Sequence, residues 1–242
     1  MNGACLVVGA GDDTGSAIAH AFAEKGLTAC VVRRPRHLDK LEQLVADIEV
    51  KGGKARAFGM DAREEDEMVN LISTIEAEVG PIEVAVFNIG ANVRFGIRET
   101  TSRVYRKVWE MAAFAGFLMG REVAGPMLDR GRGTILFTGA TASLRGGKVY
   151  SAFAGAKFAL RALAQSMARE LGPRNIHVAH VVVDGMIDSS FIRDNVPGVD
   201  GLRAEDRILS PAAIAQNYVM LHEQPRSAWT HELDLRPWAE TW

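Results

Sequence analysis

A glycine turn and three arginines are the residues of this chain best suited to chemistry with an anion. The turn reads Gly9-Ala10-Gly11-Asp12-Asp13-Thr14-Gly15 and stands between an apolar run, Ala4 to Val8, and a segment from Ser16 with apolar residues at helical spacing. In that setting Gly9 permits a tight turn. N–H groups near Thr14 and Gly15, at the start of a helix, would face a pyrophosphate with the positive end of the peptide dipoles. A glycine turn alone is weak; between a first strand and a first helix it has the context a dinucleotide site requires. Arg33, Arg34 and Arg36 follow the second apolar run, Thr28 to Val32. Dinucleotide folds that take NAD place Asp or Glu there for the ribose 2'-hydroxyl, whereas guanidinium groups suit a 2'-phosphate through bidentate, charge-assisted bonds. The pattern favours NADP(H) over NAD(H), led by Arg36 and Arg34, with Asp12 and Asp13 opposing it by placing negative charge beside the phosphates.

Other reactive side chains narrow the chemistry. His177 and His180 are three apart on a strand-like run and point to opposite faces, so they cannot share a metal. No cluster of Cys, His and carboxylates has ligand spacing, and no Gly-x-Ser-x-Gly elbow occurs, so metal and serine-hydrolase chemistry are not expected. Thr138, Thr141 and Ser143 lie at a strand end, where hydroxyls either bond nearby backbone or face a ligand. Cys5 and Cys30 sit inside apolar runs and read as two buried thiols.

These residues need a scaffold, and the hydrophobic pattern supplies one. Ala4 to Val8, Thr28 to Val32, Lys54 to Phe58, Val84 to Phe87, Thr134 to Phe137, Ile176 to Val183 and Glu232 to Leu235 read as strands, continuously apolar where buried. Ser16 to Lys25, Leu38 to Lys51, Glu64 to Val79, Ser102 to Leu128, Ser151 to Leu171 and Ala212 to His222 have helical spacing. Strand alternating with helix demands right-handed crossovers, hence an α/β doubly wound Rossmann fold with a parallel seven-stranded sheet and helices on both faces. The 242 residues suit one dinucleotide-binding domain over 1–242, with a substrate loop at about 185–210.

With 48% apolar and 24% charged residues, the chain has enough apolar surface for a sizeable core. A net charge of -2 leaves no basic excess for nucleic acid or an anionic membrane, so the expected partner is a small-molecule substrate. Met1 to Gly9 lacks the basic start and cleavage site of a secretory signal, and no stretch is apolar for 18 residues, which leads to the expectation of a cytoplasmic protein.

Over nearly its whole length the sequence resembles the short-chain dehydrogenase/reductase family. Gly9 to Gly15 matches the family's TGxxxGxG, with Val8 for Thr and Asp13 for the middle Gly; Asn88-Ile89-Gly90 matches NNAG from its second Asn. The stretch AKFALRALAQSMAREL, Ala156 to Leu171, resembles the long central helix, and Gly172 to Val178 the turn into the next strand. Asp184-Gly185-Met186-Ile187-Asp188-Ser189 takes the place of PGxIxT, with Pro lost. The resemblance implies that Asp61 meets an adenine, that Asn88 and Gly90 border the nucleotide, and that Gly185, Ile187 and Ser189 lie by the carboxamide. It also implies assembly as a homodimer or homotetramer, for which Trp238 and Trp242 are candidate contacts.

Family reductases set a Tyr four residues before a Lys. Lys157 matches the Lys, but Phe153 stands at the Tyr position, Ala140 at the Ser position thirteen earlier, and Ala113 at the Asn position. Tyr150, seven before Lys157, has the spacing of the branch resembling enoyl-acyl-carrier-protein reductases, where the Tyr steadies an enolate. Two helical turns put both residues on one face. Tyr150 either begins the helix and packs there or works on a ligand, and its spacing leaves both open. The expected function is an NADP(H)-dependent reductase of an apolar carbonyl or activated C=C, with Lys157 and Tyr150 as catalytic candidates and a cleft near Arg94, Phe95, Arg145 and Ser189. The alternatives are a lyase or isomerase on the same scaffold and a catalytically silent NADP(H)-binding protein.

Overall fold

A strand with apolar side chains on both faces is stable only inside a sheet covered on both sides. The computed structural model describes residues 3–241, and its strands are β1 (Ala4–Val8), β2 (Thr28–Arg33), β3 (Lys54–Gly59), β4 (Ile82–Phe87), β5 (Gly133–Thr138), β6 (Ile176–Val183) and β7 (Glu232–Leu235). They form one sheet in the order β3-β2-β1-β4-β5-β6-β7, every pair parallel. The expected doubly wound fold is present. Continuous burial holds for the interior strands and not for β3 and β7, which lie at the edges and carry exposed positions.

Helices α1 (Thr14–Glu24), α2 (Leu38–Val50), α3 (Glu65–Glu78), α4 (Ser102–Trp109), α5 (Ala115–Arg130), α6 (Ser151–Leu171), α7 (Ser190–Asn195), α8 (Val199–Ala204) and α9 (Pro211–Glu223) complete the fold. Alternation along β1 divides the core. Leu6 and Val8 pack with Met119 of α5 and Leu160 of α6, whereas Cys5 and Val7 pack with Phe22 of α1, Leu41 of α2 and Tyr218 of α9. Cys5 and Cys30 fall on opposite faces of the sheet as free, buried thiols.

Two segments differ from the sequence pattern. The expected helix Ser102 to Leu128 is interrupted by a π turn, Glu110–Phe114, between α4 and α5. Both halves still pack on α6 through close approaches: Gly155 faces the Tyr105 hydroxyl of α4, and Gly116 of α5 faces Leu160 and Phe87. The region 185–210 is not a plain loop but holds α7 and α8 and a parallel bridge between Ile187 and Leu209. Asp188 gathers Arg203 (2.8 Å) and Arg193 (3.1 Å), and Ser189 Oγ caps α7 by accepting from the Ile192 N–H.

Among the described residues no helix is long and apolar enough to cross a membrane. Trp238 is 77% exposed, with its indole N–H donating to the Glu205 carbonyl; Trp242 lies outside the described residues.

Candidate active site

The chain leaves β1 toward β2 on one side and β4 on the other, which opens a crevice at the carboxyl ends of the strands. The glycine turn crosses that crevice. Gly9 has φ 95°, and the Gly9 and Ala10 N–H groups donate to the Val32 carbonyl. Asn88 pins the turn to β4: its N–H donates to the Val8 carbonyl (2.8 Å) and its side-chain amide to the Gly9 carbonyl (3.1 Å). A Cβ on Gly15 would lie 2.4 Å from the Gly9 oxygen, so α1 reaches the turn only with glycine there. Beside Gly11 and Gly90 a Cβ would meet nothing within 4 Å, so both border open space. The Thr14 and Gly15 amides at the head of α1 have no partner among the described residues. Free amides, a bare glycine wall and a helix N-terminus fit a pyrophosphate.

Asp12 and Asp13 do not face that site as free charges. Asp12 is paired with Arg33 (2.6 Å) and Lys40 (2.7 Å). Its burial raises the pKa, but the bonds from Lys40 and Arg33 outweigh burial and hold it below the usual carboxylate range. Asp13 accepts from the Ser190 N–H (2.9 Å) and lies 3.5 Å from Arg193.

Beyond Gly90 a recess of about 240 Å³ is lined by Arg33, Arg34, His37, Asp61 and Arg63. Arg34 therefore lies on the wall of this recess. Arg36 does not line the recess, and its Nε donates to His37 Nε2 (3.1 Å). The Asp61 carboxylate takes two bonds from Arg63, at 3.0 and 2.6 Å, and these hold it below its ordinary range. Arg63 escaped the sequence reading; its signal is a cation two residues after the Asp that follows β3.

The main cleft, about 610 Å³, continues from the glycine turn past Lys157, Tyr150 and Phe153 to Gly185, Ile187 and Ser189. Helix α6 positions Lys157 and Phe153, and Tyr150 stands just before it. Lys157 is 2% exposed, and its ammonium donates to the Thr138 carbonyl (2.8 Å) and the Ile89 carbonyl (3.2 Å). Burial pushes it down to about 8. It stands 6.0 Å from the centre of the Phe153 ring. Tyr150 precedes the first turn of α6 and borders the cleft, its ring 6.5 Å from Phe153 and beneath the Arg94 guanidinium. Arg145 and Ser189 line the cleft, whereas Arg94 and Phe95 do not. Ala140 is on the wall; Ala113 is buried in the π turn away from it. Gly185 has φ 155°, and a Cβ there would meet Pro237 at 2.7 Å.

Beneath the floor, His177 bonds the Thr230 carbonyl and stacks on Trp229, while His180 pairs with Glu232 at 3.0 Å on the other face. Burial pushes His180 down to about 4. The unfolded chain then binds a proton that the folded one refuses, so stability falls as pH drops from about 6.5 to 4, by about 3 kcal/mol for this group. Glu232, held low chiefly by Arg161, adds to the loss in the same direction below its ordinary range. We expect scanning calorimetry between pH 7 and 5 to show a falling melting temperature whose slope flattens in His180→Gln. Among the described residues, no group of three or more His, Cys, Asp or Glu is placed to hold a metal.

Residues 4–198 match the family described as short chain dehydrogenase. A 2-dehydro-3-deoxy-D-gluconate 5-dehydrogenase of Formosa agariphila is 30% identical over 205 residues, covering 79% of this chain and 77% of its own. A crystal structure of a short-chain dehydrogenase from Rhodopseudomonas palustris is 50% identical, with a TM-score of 0.84 over 98% of this chain and 100% of that one. A metagenomic short-chain oxidoreductase crystallised with NADP has the same fold, TM-score 0.83, at 22% identity over 97% of each chain.

Proposed function

The chain belongs to the short chain dehydrogenase family, and from that premise we propose that it is an NADP(H)-dependent oxidoreductase with a non-standard active site, reducing an apolar carbonyl or activated C=C. The observation that carries the cofactor choice is the recess beyond Gly90, where Arg33 and Arg34 stand on the wall while Arg63 engages the Asp61 carboxylate. Gly9, Gly11, Thr14 and Gly15 would hold the pyrophosphate, Asn88, Gly90 and Asp61 the adenosine side, and Gly185, Ile187 and Ser189 the nicotinamide side. When bound, the nicotinamide supplies or accepts a hydride.

The chain's own residues do the rest. Lys157 would hold the ribose and set the field of the site. Phe153 has no proton to give and Ala140 no hydroxyl, so the Tyr and Ser of the family pattern are replaced, as is the Asn at Ala113. The proton comes from Tyr150 or water. The whole chain acts as one unit in the cytoplasm. The aromatic run Trp109, Phe114 and Phe117, stacked in sequence and partly exposed, supports a homodimer or homotetramer.

Calorimetric titration tests the cofactor claim. NADPH should bind more tightly than NADH, and Arg34→Ala should weaken NADPH by about 10- to 100-fold while sparing NADH, the cost of one or two bonds to a charged group. Arg36→Ala should cost less, because its side chain lies outside the recess. Binding of neither nucleotide would sink the redox reading, and tight NADPH binding without turnover of ketones or enones would make the protein a silent binder.

A further inference from the structure

Three hydroxyls stand at the end of β5, and they have different partners. Thr138 Oγ1 is buried against the Tyr218 hydroxyl at 2.7 Å. Ser143 is fully buried and accepts from the Ala140 N–H at 3.1 Å. Thr141 alone of the three is both on the cleft wall and bonded to a carboxylate: its hydroxyl donates to Asp184 Oδ1 at 2.5 Å.

Asp184 directly follows β6 where the family pattern has proline, and it is 3% exposed. Its N–H donates to the Leu235 carbonyl, which fixes it to β7. The Arg145 guanidinium reaches to 3.9 Å of Oδ1 and that of Arg236 to 3.6 Å of Oδ2, with Arg236 also paired to Asp234. Glu240 lies behind the adjoining Gly185. A carboxylate with this setting does not need a threonine for its charge balance. A threonine whose proton already points at a carboxylate, however, presents only lone pairs to the cleft, and it can accept a hydrogen bond from a ligand hydroxyl.

We propose that Thr141 and Asp184 form the proton relay of this site and that the substrate it serves in the oxidation direction is an alcohol. As the substrate C–H leaves as hydride to the oxidised nicotinamide dinucleotide, the substrate O–H proton passes to Thr141 Oγ1, and the proton Thr141 held passes to Asp184. The products are a carbonyl compound, the reduced dinucleotide and a protonated Asp184, which returns its proton through Thr141 to water in the cleft once the carbonyl product has left. In reduction the same transfers run backward, so the relay, in place of Tyr150 or a lone water, supplies the proton that Phe153 lacks. Thr141 touches the substrate; Asp184 acts through it. This rests on the oxidoreductase reading above.

The test uses the full chain with NADP+ and secondary alcohols (cyclohexanol, 1-phenylethanol and D-gluconate), and with NADPH and the matching ketones, followed by nicotinamide absorbance. Thr141→Val should lower kcat by about 100-fold or more, the scale of losing an acid–base group, with NADP+ affinity by calorimetry within about twofold of wild type. Thr141→Ser should recover kcat to within about fivefold. Asp184→Asn should lower kcat about as far as Thr141→Val does, since the relay then has no terminal acceptor; if that variant does not fold, the Val and Ser pair decides alone. Wild-type kcat in Thr141→Val overturns the relay and leaves the oxidoreductase reading intact. Wild-type protein that turns over none of these substrates overturns both.

Discussion

Lys157→Met is expected to lower turnover by about 100-fold or more while the protein stays folded, as removal of a positioned charge from a closed site does. The two parts of that expectation have separate causes. Methionine matches the length of the lysine stem, and replacing the ammonium removes a charge whose burial is costly, since burial alone brings its pKa down to about 8. Against this, the Thr138 and Ile89 carbonyls each lose a donor. The two effects oppose each other in stability. In function nothing compensates, because among the described residues lining the cleft the other cation, Arg145, is half-exposed. The same burial sets a pH dependence. The group is charged below about 8 and neutral above, so kcat/KM in wild type should fall as pH rises through that value, and the fall should vanish in Lys157→Met. Steady-state rates from pH 6 to 10, beside melting temperatures, check both.

The second large effect is at the turn. Gly15→Val should abolish dinucleotide binding, by about 100-fold or more, and also destabilise the fold by about 1 to 3 kcal/mol, the usual cost of forced overpacking. The cause is backbone against backbone: a Cβ at 15 would sit 2.4 Å from the Gly9 oxygen and 2.7 Å from the Ala10 Cα, and neither can rotate away. Gly11→Ala is the control. Its Cβ meets nothing in the protein, so the melting temperature should hold while nucleotide affinity drops, because the methyl enters the space that the ligand needs. Calorimetric titration and thermal melting of the pair separate a blocked site from a broken turn. Equal loss of stability in both would contradict the geometry.

The sheet was legible because burial on both faces writes itself as a run of apolar residues. Ala4 to Val8 and Ile176 to Val183 coincide with β1 and β6. Helix α6, Ser151–Leu171, was equally plain. The π turn was not, because Ser102 to Leu128 keeps helical spacing throughout and the change of hydrogen-bond pattern is imposed by packing on α6. Nor were α7 and α8, which have little apolar periodicity and are held by the Ser189 cap and the arginines on Asp188. The site shows the same division. Lys157 and the glycines carry local signals, whereas the pairing of Asp12 with Arg33 and Lys40, and of Asp13 with Ser190 and Arg193, joins residues far apart in sequence. Read in line, those aspartates look like repulsion beside a phosphate; folded, they are the struts that fix the turn. Asp184 is the sharpest case. In sequence it is a lost proline, and only the fold places its carboxylate behind Thr141.

The π turn also bears on heredity of length. It accommodates one residue more than a regular helix would over the same span. Deleting a residue from Glu110–Phe114 would restore ordinary winding, yet it would turn α4 by about 100° relative to α5, carrying Tyr105 off Gly155 while Gly116 stays on Leu160. This stretch therefore tolerates exchange of side chains far better than a change in their number. Descendants of this sequence should gain and lose residues in the exposed bend around Gly146 and Gly147, and keep the count between Ser102 and Arg130 constant.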